Sequence, residues 1–216
     1  MICIIDYGVG NLFSLKSSLA HLGLEAKVSA DAADIRAADR LILPGVGAFG
    51  DAMAKLEATG LVPVIKEEAA KKPLLGICLG MQMMNTYFLV AEEAEHRGWD
   101  GPLLALFEQM KKERYMFTEP VDGHWDGHIT RDNVDRFKHP VHVTPGSRLE
   151  RLTGKQTILG ASMHNYRITH PARSLTVAGR TDDGTIEALE YGEQMLGVQF
   201  HPEADDQNDE LFRAIL

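Results

Sequence analysis

The chain has 216 residues, 44% hydrophobic and 25% charged, with 31 Asp and Glu against 22 Lys and Arg for a formal net charge of -9. These proportions suit one globular domain over 1–216 with a sizeable core, and the negative field repels phosphate backbones, so no nucleic-acid partner is expected. No apolar run approaches bilayer length, Met1 to Asp6 lacks a basic leader, and the two cysteines, Cys3 and Cys78, are expected to be reduced thiols of a cytoplasmic protein.

Ile2 to Ile5 is an apolar, mostly β-branched run of the kind buried in a parallel sheet. Asn11 is placed to cap a helix on which Leu12, Leu15, Leu19 and Leu22 recur at helical spacing, with Gly23 as its stop. Glu25 to Ser29 and Arg40 to Leu43 read as the next two strands, the second closed by Pro44-Gly45. Two helices follow, one with Met53 and Leu56 inward and one over Val62 to Ala70. Leu74 to Cys78 is a further strand, and Met81 to about Glu95 a further helix. This alternation predicts an α/β fold with a doubly wound, mostly parallel sheet and right-handed crossovers. Between Gly98 and Pro140 only one helix is legible, Leu103 to Tyr115, before a polar stretch rich in His and Asp. Beyond Ala172 the pattern becomes a small antiparallel extension. Ser174 to Gly179 alternates, Asp183-Gly184 turns, Thr185 to Glu190 follows, and Gly192-Glu193 turns into Met195 to Phe200. A last helix is expected over Asn208 to Leu216.

Gly76-Ile77-Cys78-Leu79-Gly80 follows a buried strand and opens a helix, the setting of a nucleophile elbow with Cys in place of Ser. The glycines let neighbouring backbone pass while Cys78 takes a strained turn, and the helix N-terminus favours a thiolate. Taken alone, the pentapeptide equally describes a buried Cys beside two packing glycines. His201-Pro202-Glu203 ends an apolar strand. A thiolate that attacks an amide needs a base that later protonates the leaving nitrogen, and a carboxylate to orient that base. His201 and Glu203 are expected on one side of an extended segment, with Pro202 stiffening the turn between them. Pro44-Gly45-Val46-Gly47 closes the third strand, where a parallel sheet presents its ligands. A backbone N–H there, with that of Leu79, can face a developing oxyanion; a tight turn needing glycine is the bland alternative.

Pro-Gly-Val-Gly, then Gly-Ile-Cys-Leu-Gly-Met-Gln, then Gly-Val-Gln-Phe-His-Pro-Glu, in this order, resembles the class I (triad) glutamine amidotransferases over nearly the whole chain. The resemblance implies a doubly wound α/β sheet with a small antiparallel extension, a γ-glutamyl thioester on the Cys, and release of the glutamine amide nitrogen as ammonia. It implies Cys78 as nucleophile, His201 as base, Glu203 as orienting acid, Val46 or Gly45 with Leu79 as oxyanion donors, and Gln82 holding the glutamine. His164 and Tyr166 fall on a loop that lines the glutamine pocket in that pattern. Ile5 to Asn11, Leu43 to Phe49 and Leu79 to Gln82 look like the glutaminase subunit of imidazole glycerol phosphate synthase. That subunit passes ammonia to a separate TIM-barrel cyclase for histidine biosynthesis. Thr144 to Leu149, Asp183 to Ala188 and Gly197 to Glu203 look more like γ-glutamyl-γ-aminobutyrate hydrolases, which act without a synthase partner. The first is the favoured expectation.

No cofactor is expected. His124, Asp126, His128, Asp132 and His139 include metal-ligand spacing, but Gly123, Gly127 and the lack of apolar periodicity predict a solvated loop without a metal. Met81, Met83 and Met84 are expected to be core packing.

Overall fold

The computed structural model describes residues 1–125, 133–204 and 209–215. Strand β1 (Ile2–Ile5) is buried throughout, and its side chains alternate between two cores. Ile2 and Ile4 face one apolar cluster with Leu15 and Leu19, whereas Cys3 and Ile5 face another with Leu56 and Ile65. A strand covered on both faces has no reason for polar alternation, which is why it reads as a continuous apolar run. Cys3 is the small core residue expected, and burial pushes its thiol up to about 11.

Helix α1 (Leu12–His21) is capped by the Asn11 side chain, and Gly23 leaves it at φ 72°. There follow β2 (Ala26–Ser29), α2 (Ala32–Ala37), β3 (Arg40–Leu43), α3 (Phe49–Ala58), α4 (Val62–Ala69), β4 (Leu74–Ile77) and α5 (Leu79–Arg97). Helix α2 was not legible in the sequence, since six residues carry little periodicity. Helix α6 (Leu103–Lys112) ends before Tyr115, because Arg114 turns the chain at φ 62°. The chain continues through β5 (Thr118–Pro120), a 3₁₀ turn at Val134–Phe137, β6 (Lys138–Val143), α7 (Arg148–Thr153), β7 (Thr157–Ala161) and β8 (Tyr166–Ile168). It closes with β9 (Thr176–Arg180), β10 (Ile186–Tyr191), β11 (Met195–Val198), a 3₁₀ turn at Pro202–Ala204 and α8 (Asp209–Ile215). Asn208, the expected start of that helix, lies outside the described residues.

Among the described residues the main sheet has nine strands in the order β2-β1-β3-β4-β11-β10-β9-β6-β7, while β5 and β8 form a separate pair. From β2 to β11 every pairing is parallel, and from β11 to β7 every one is antiparallel. The antiparallel extension therefore continues the same sheet, and its outer strands β6 and β7 come from stretches the sequence left unread. Strand β11 joins the halves. It pairs antiparallel with β10 (Ala188 opposite Val198) and parallel with β4 (Val198 opposite Ile77). The second pairing, which hairpin signals cannot reveal, brings the C-terminal ends of β4 and β11 side by side.

Candidate active site

Cys78 stands between β4 and α5 at φ 53° and ψ -109°. Such a conformation costs a non-glycine residue on the order of 1–3 kcal/mol, so its surroundings must impose it. They do so through close backbone approach. A Cβ on Gly80 would sit 2.0 Å from the Leu43 carbonyl oxygen, and one on Gly76 would sit 3.0 Å from the Gly80 carbonyl. The start of α5 is thus pressed against the ends of β3 and β4, and the Cys78 N–H donates to the Val198 carbonyl at 2.7 Å.

Along β11 and just beyond it, Leu196, Val198 and Phe200 enter the core, while Gln199 and His201 take the opposite side. Gln199 Nε2 lies 3.5 Å from Cys78 Sγ, and His201 Nδ1 lies 2.8 Å from Glu203 Oε1. The chain does not stay extended between His201 and Glu203. Pro202, whose ring suits a first helical position, starts a 3₁₀ turn closed by Ala204 N–H to the His201 carbonyl at 3.2 Å. The turn still returns Glu203 onto the imidazole, and the Ser18 hydroxyl of α1 anchors the Glu203 carbonyl at 3.0 Å. Burial works against an imidazolium at His201, but the charges of Glu203 and then Cys78 outweigh it and raise its pKa well above the ordinary value. A buried ring between a carboxylate and a thiol can hold a thiolate–imidazolium pair.

These groups open onto a cavity of about 690 Å³. Val46 and Leu79 line it; Gly45 does not, and instead packs so closely that a Cβ would meet Leu79 Cβ at 2.8 Å and Tyr7 Oη at 2.9 Å. Gln82 lines it one helical turn after Cys78, its N–H reaching the Cys78 carbonyl at 3.2 Å. Its side-chain amide donates to the Tyr166 carbonyl at 3.0 Å and to Gln199 Oε1 at 3.1 Å. A polar relay therefore runs from the Tyr166 backbone through Gln82 and Gln199 to the thiol. His164 and Tyr166 are also on the wall, Tyr166 half exposed and His164 buried. Met81, Met83 and Met84 are buried behind, as expected.

Two contributors escaped the sequence reading. Tyr7 donates its hydroxyl to the Pro44 carbonyl at 2.7 Å, and burial, with the charge of Cys78 adding, raises its pKa. Gln199 could have been found from the strand alternation that leaves it on the side of His201. The His-rich stretch departs from expectation as well. Asp126, His128 and Asp132 lie outside the described residues, but His124 is not solvated: it is 5% exposed, and burial lowers its pKa, the nearby charge of His164 adding to this. It is drawn inward because the buried Glu187 and the Asp183 carboxylate lie beside it.

Known proteins resemble this chain over most of its length. The sequence model of the family described as glutamine amidotransferase class-I matches residues 3–212. The imidazole glycerol phosphate synthase subunit HisH of Moorella thermoacetica is 38% identical over 204 residues, 94% of this chain and 87% of the relative. The subunit of the same name from Streptococcus mutans is 39% identical over 206 residues, 94% of this chain and 91% of the relative. A crystal structure of a glutamine amidotransferase aligns with all of this chain and 97% of its own, with a TM-score of 0.65 and 17% identity, a likeness of fold. The chain belongs to the class-I glutamine amidotransferase family.

Proposed function

We propose that this chain is the glutaminase of an imidazole glycerol phosphate synthase, a single cytoplasmic domain that needs no cofactor and hands ammonia to a TIM-barrel cyclase. The observation that carries the chemistry is the convergence of Cys78, His201 and Glu203 on one cavity. The Cys78 thiolate attacks the side-chain carbonyl carbon of glutamine, and the N–H groups of Val46 and Leu79 face the oxyanion. His201 then protonates the amide nitrogen, which leaves as ammonia, and the γ-glutamyl thioester remains. His201 next takes a proton from water, whose oxygen attacks the thioester, and glutamate and the free thiol result. Glu203 keeps the ring oriented and balances its charge in both halves. Gln82 is placed to hold the substrate.

The partner reading rests on the relatives' shared name over nearly the full chain. The cavity rim supports it. Phe13 (82% exposed), Tyr166 (50%), Val46 (42%) and Trp125 (41%) all line the cavity, an apolar rim of the kind a second protein covers. Because those relatives align across both halves of the chain, the likeness of the second half to γ-glutamyl-γ-aminobutyrate hydrolases carries less weight. The test is an assay of the purified chain on glutamine and on γ-glutamyl-γ-aminobutyrate, with and without the cyclase from the same source. Glutamine hydrolysis that is low alone and rises with the cyclase is expected. High unassisted activity on the larger amide, indifferent to the cyclase, would replace this reading with a stand-alone hydrolase.

A further inference from the structure

Four segments far apart in sequence bring nitrogen and oxygen ligands together beside the active-site cavity. His124 follows β5, His139 lies on β6, His164 lies between β7 and β8, and Glu187 lies on β10. Glu187 is fully buried and falls at an irregularity in the pairing of β10 with β9, between Ile186 and Ala188. A bulge at such a place re-aims a side chain. Around its Oε1 stand His164 Nε2 at 3.1 Å, His139 Nε2 at 3.3 Å and His124 Nδ1 at 3.5 Å, and the His124 and His164 nitrogens are themselves 3.1 Å apart. Ligands on a tetrahedral ion with bonds of about 2.0–2.1 Å lie about 3.3 Å from one another. The ligand atoms of His124, His139 and Glu187 all fall within 4.8 Å of each other.

The outer nitrogens decide what the inner ones can be. His164 Nδ1 lies 3.0 Å from the Tyr166 carbonyl, which can only accept, so this nitrogen carries a hydrogen. His124 Nε2 lies 3.2 Å from Asp183 Oδ2, on a carboxylate that already accepts from the Thr185 N–H and hydroxyl, so it donates too. In neutral rings both inner nitrogens are then bare lone pairs facing each other and a carboxylate. The Ser162 hydroxyl, 3.0 Å from His124 Nδ1, supplies one hydrogen. It cannot serve the rest: among the described residues, His139 Nε2 has no hydrogen-bond partner despite its 3.3 Å approach to Oε1, and Glu187 Oε2 has none either. One divalent ion held by His124, His139 and Glu187 satisfies all three at once, with His164 packed beside it. The outward N–H bond of His124 to a carboxylate is the support that orients a metal-binding histidine.

We propose that His124, His139 and Glu187 form a site for a borderline divalent cation such as Zn²⁺, with His164 packed against it and solvent free to complete the coordination. The ion would tie the segment after β5, β6 and β10 together and back His164 against the cavity wall. His139, 19% exposed, marks the way in. The inference goes beyond the glutaminase reading and does not depend on it.

The test uses the untagged full chain carrying Cys78→Ala, so that the thiol cannot compete for metal. After removal of metal by a chelator it is titrated with Co²⁺ and, separately, with Zn²⁺. Saturation at one ion per chain, intense visible bands of tetrahedral Co²⁺ and a rise in Tm with Zn²⁺ are expected. His139→Asn, at the least buried ligand, should lose all three while keeping its circular dichroism spectrum; Glu187→Gln should do the same if it folds. Weak bands of a hydrated surface ion, no Tm change with excess metal, or undiminished bands in folded His139→Asn would each overturn the proposal.

Discussion

The two ends of the main sheet handle polar groups in opposite ways. In the parallel half, from β2 to β11, the site is set by backbone: a strained Cys78, glycines without Cβ, and carbonyls meeting the start of a helix, with the His201–Glu203 pair just after β11. In the antiparallel half, β10 alone buries two carboxylates. Glu187 sits among three histidines, and Glu190 accepts the Arg148 N–H at 3.0 Å. Both halves adjoin the same cavity, the first through Cys78 and the second through His164. Close steric fit makes a nucleophile, whereas a network of buried side chains makes a wall. A wall of that kind can be lost without touching the chemistry, and this difference can be measured.

The largest effect belongs to the parallel half. Cys78→Ala should lower glutamine hydrolysis by about 10⁴-fold or more, since members of such a unit fail together, while its circular dichroism spectrum stays that of the parent. His201→Ala should cost nearly as much, and Glu203→Gln distinctly less if Glu203 only orients the ring. A greater loss from Glu203→Gln than from His201→Ala would give Glu203 a direct chemical part.

Partner activation comes next. Gly45 is locked against Leu79, but a Cβ on Gly47, at φ 90°, would meet nothing within 4 Å. The strand end is therefore fixed on one side and free on the other, and a peptide flip there can turn a carbonyl toward the site. One oxyanion donor is worth about 3 kcal/mol, roughly a hundredfold in rate, and a partner can recover it only by binding the competent state more tightly. Stimulation of glutamine turnover by the cyclase of at least that order is expected in steady-state assays. A chain already at full rate alone would show that the donor is permanently in place.

Stability should separate the halves more finely. Gly80→Ala drives a Cβ into the Leu43 backbone carbonyl, which has no rotamer to yield, and should cost about 3 kcal/mol or more in urea unfolding. Gly160→Ala, in the antiparallel half, meets Phe200 Cβ and Cγ at 2.9 Å and should cost less, because that overlap is far milder than 2.0 Å on a backbone carbonyl. Equal losses would dissolve the distinction.

The smallest effect is in pH. His201 has a folded pKa above its unfolded value, so its pairing with Glu203 contributes stability that is complete below the unfolded pKa and is lost as pH rises through the folded one. NMR titration of His201 in the Cys78→Ala chain should still give a raised value, since Glu203 is the larger favourable charge, and Glu203→Gln should bring it down. No change on Glu203→Gln would remove Glu203 as the cause.

How much of this was legible follows the same division. The parallel strands, the helix after Asn11, the elbow and the order of Cys78, His201 and Glu203 could be read from residues alone, because each depends on local spacing: an apolar run, a cap, two glycines about a cysteine. The Pro202–Ala204 turn was misread as extended because a proline suits either shape. Strands β6 and β7 were not seen because Lys138–Val143 and Thr157–Ala161 acquire strand character only from one another across the sheet. The burial of His124 and the inward turn of His164 depend on Glu187, at least twenty residues away in the chain and at a bulge that no local pattern announces. The amino-acid sequence by itself determined the sheet's parallel half and pointed to the proposed reacting groups, since periodicity, backbone sterics and short motifs act over a few residues. Only the tertiary structure decided that β11 lies parallel to β4, that Gln199 reaches the thiol, and that three histidines meet one carboxylate, because long-range pairing sets which polar side chains share a buried space.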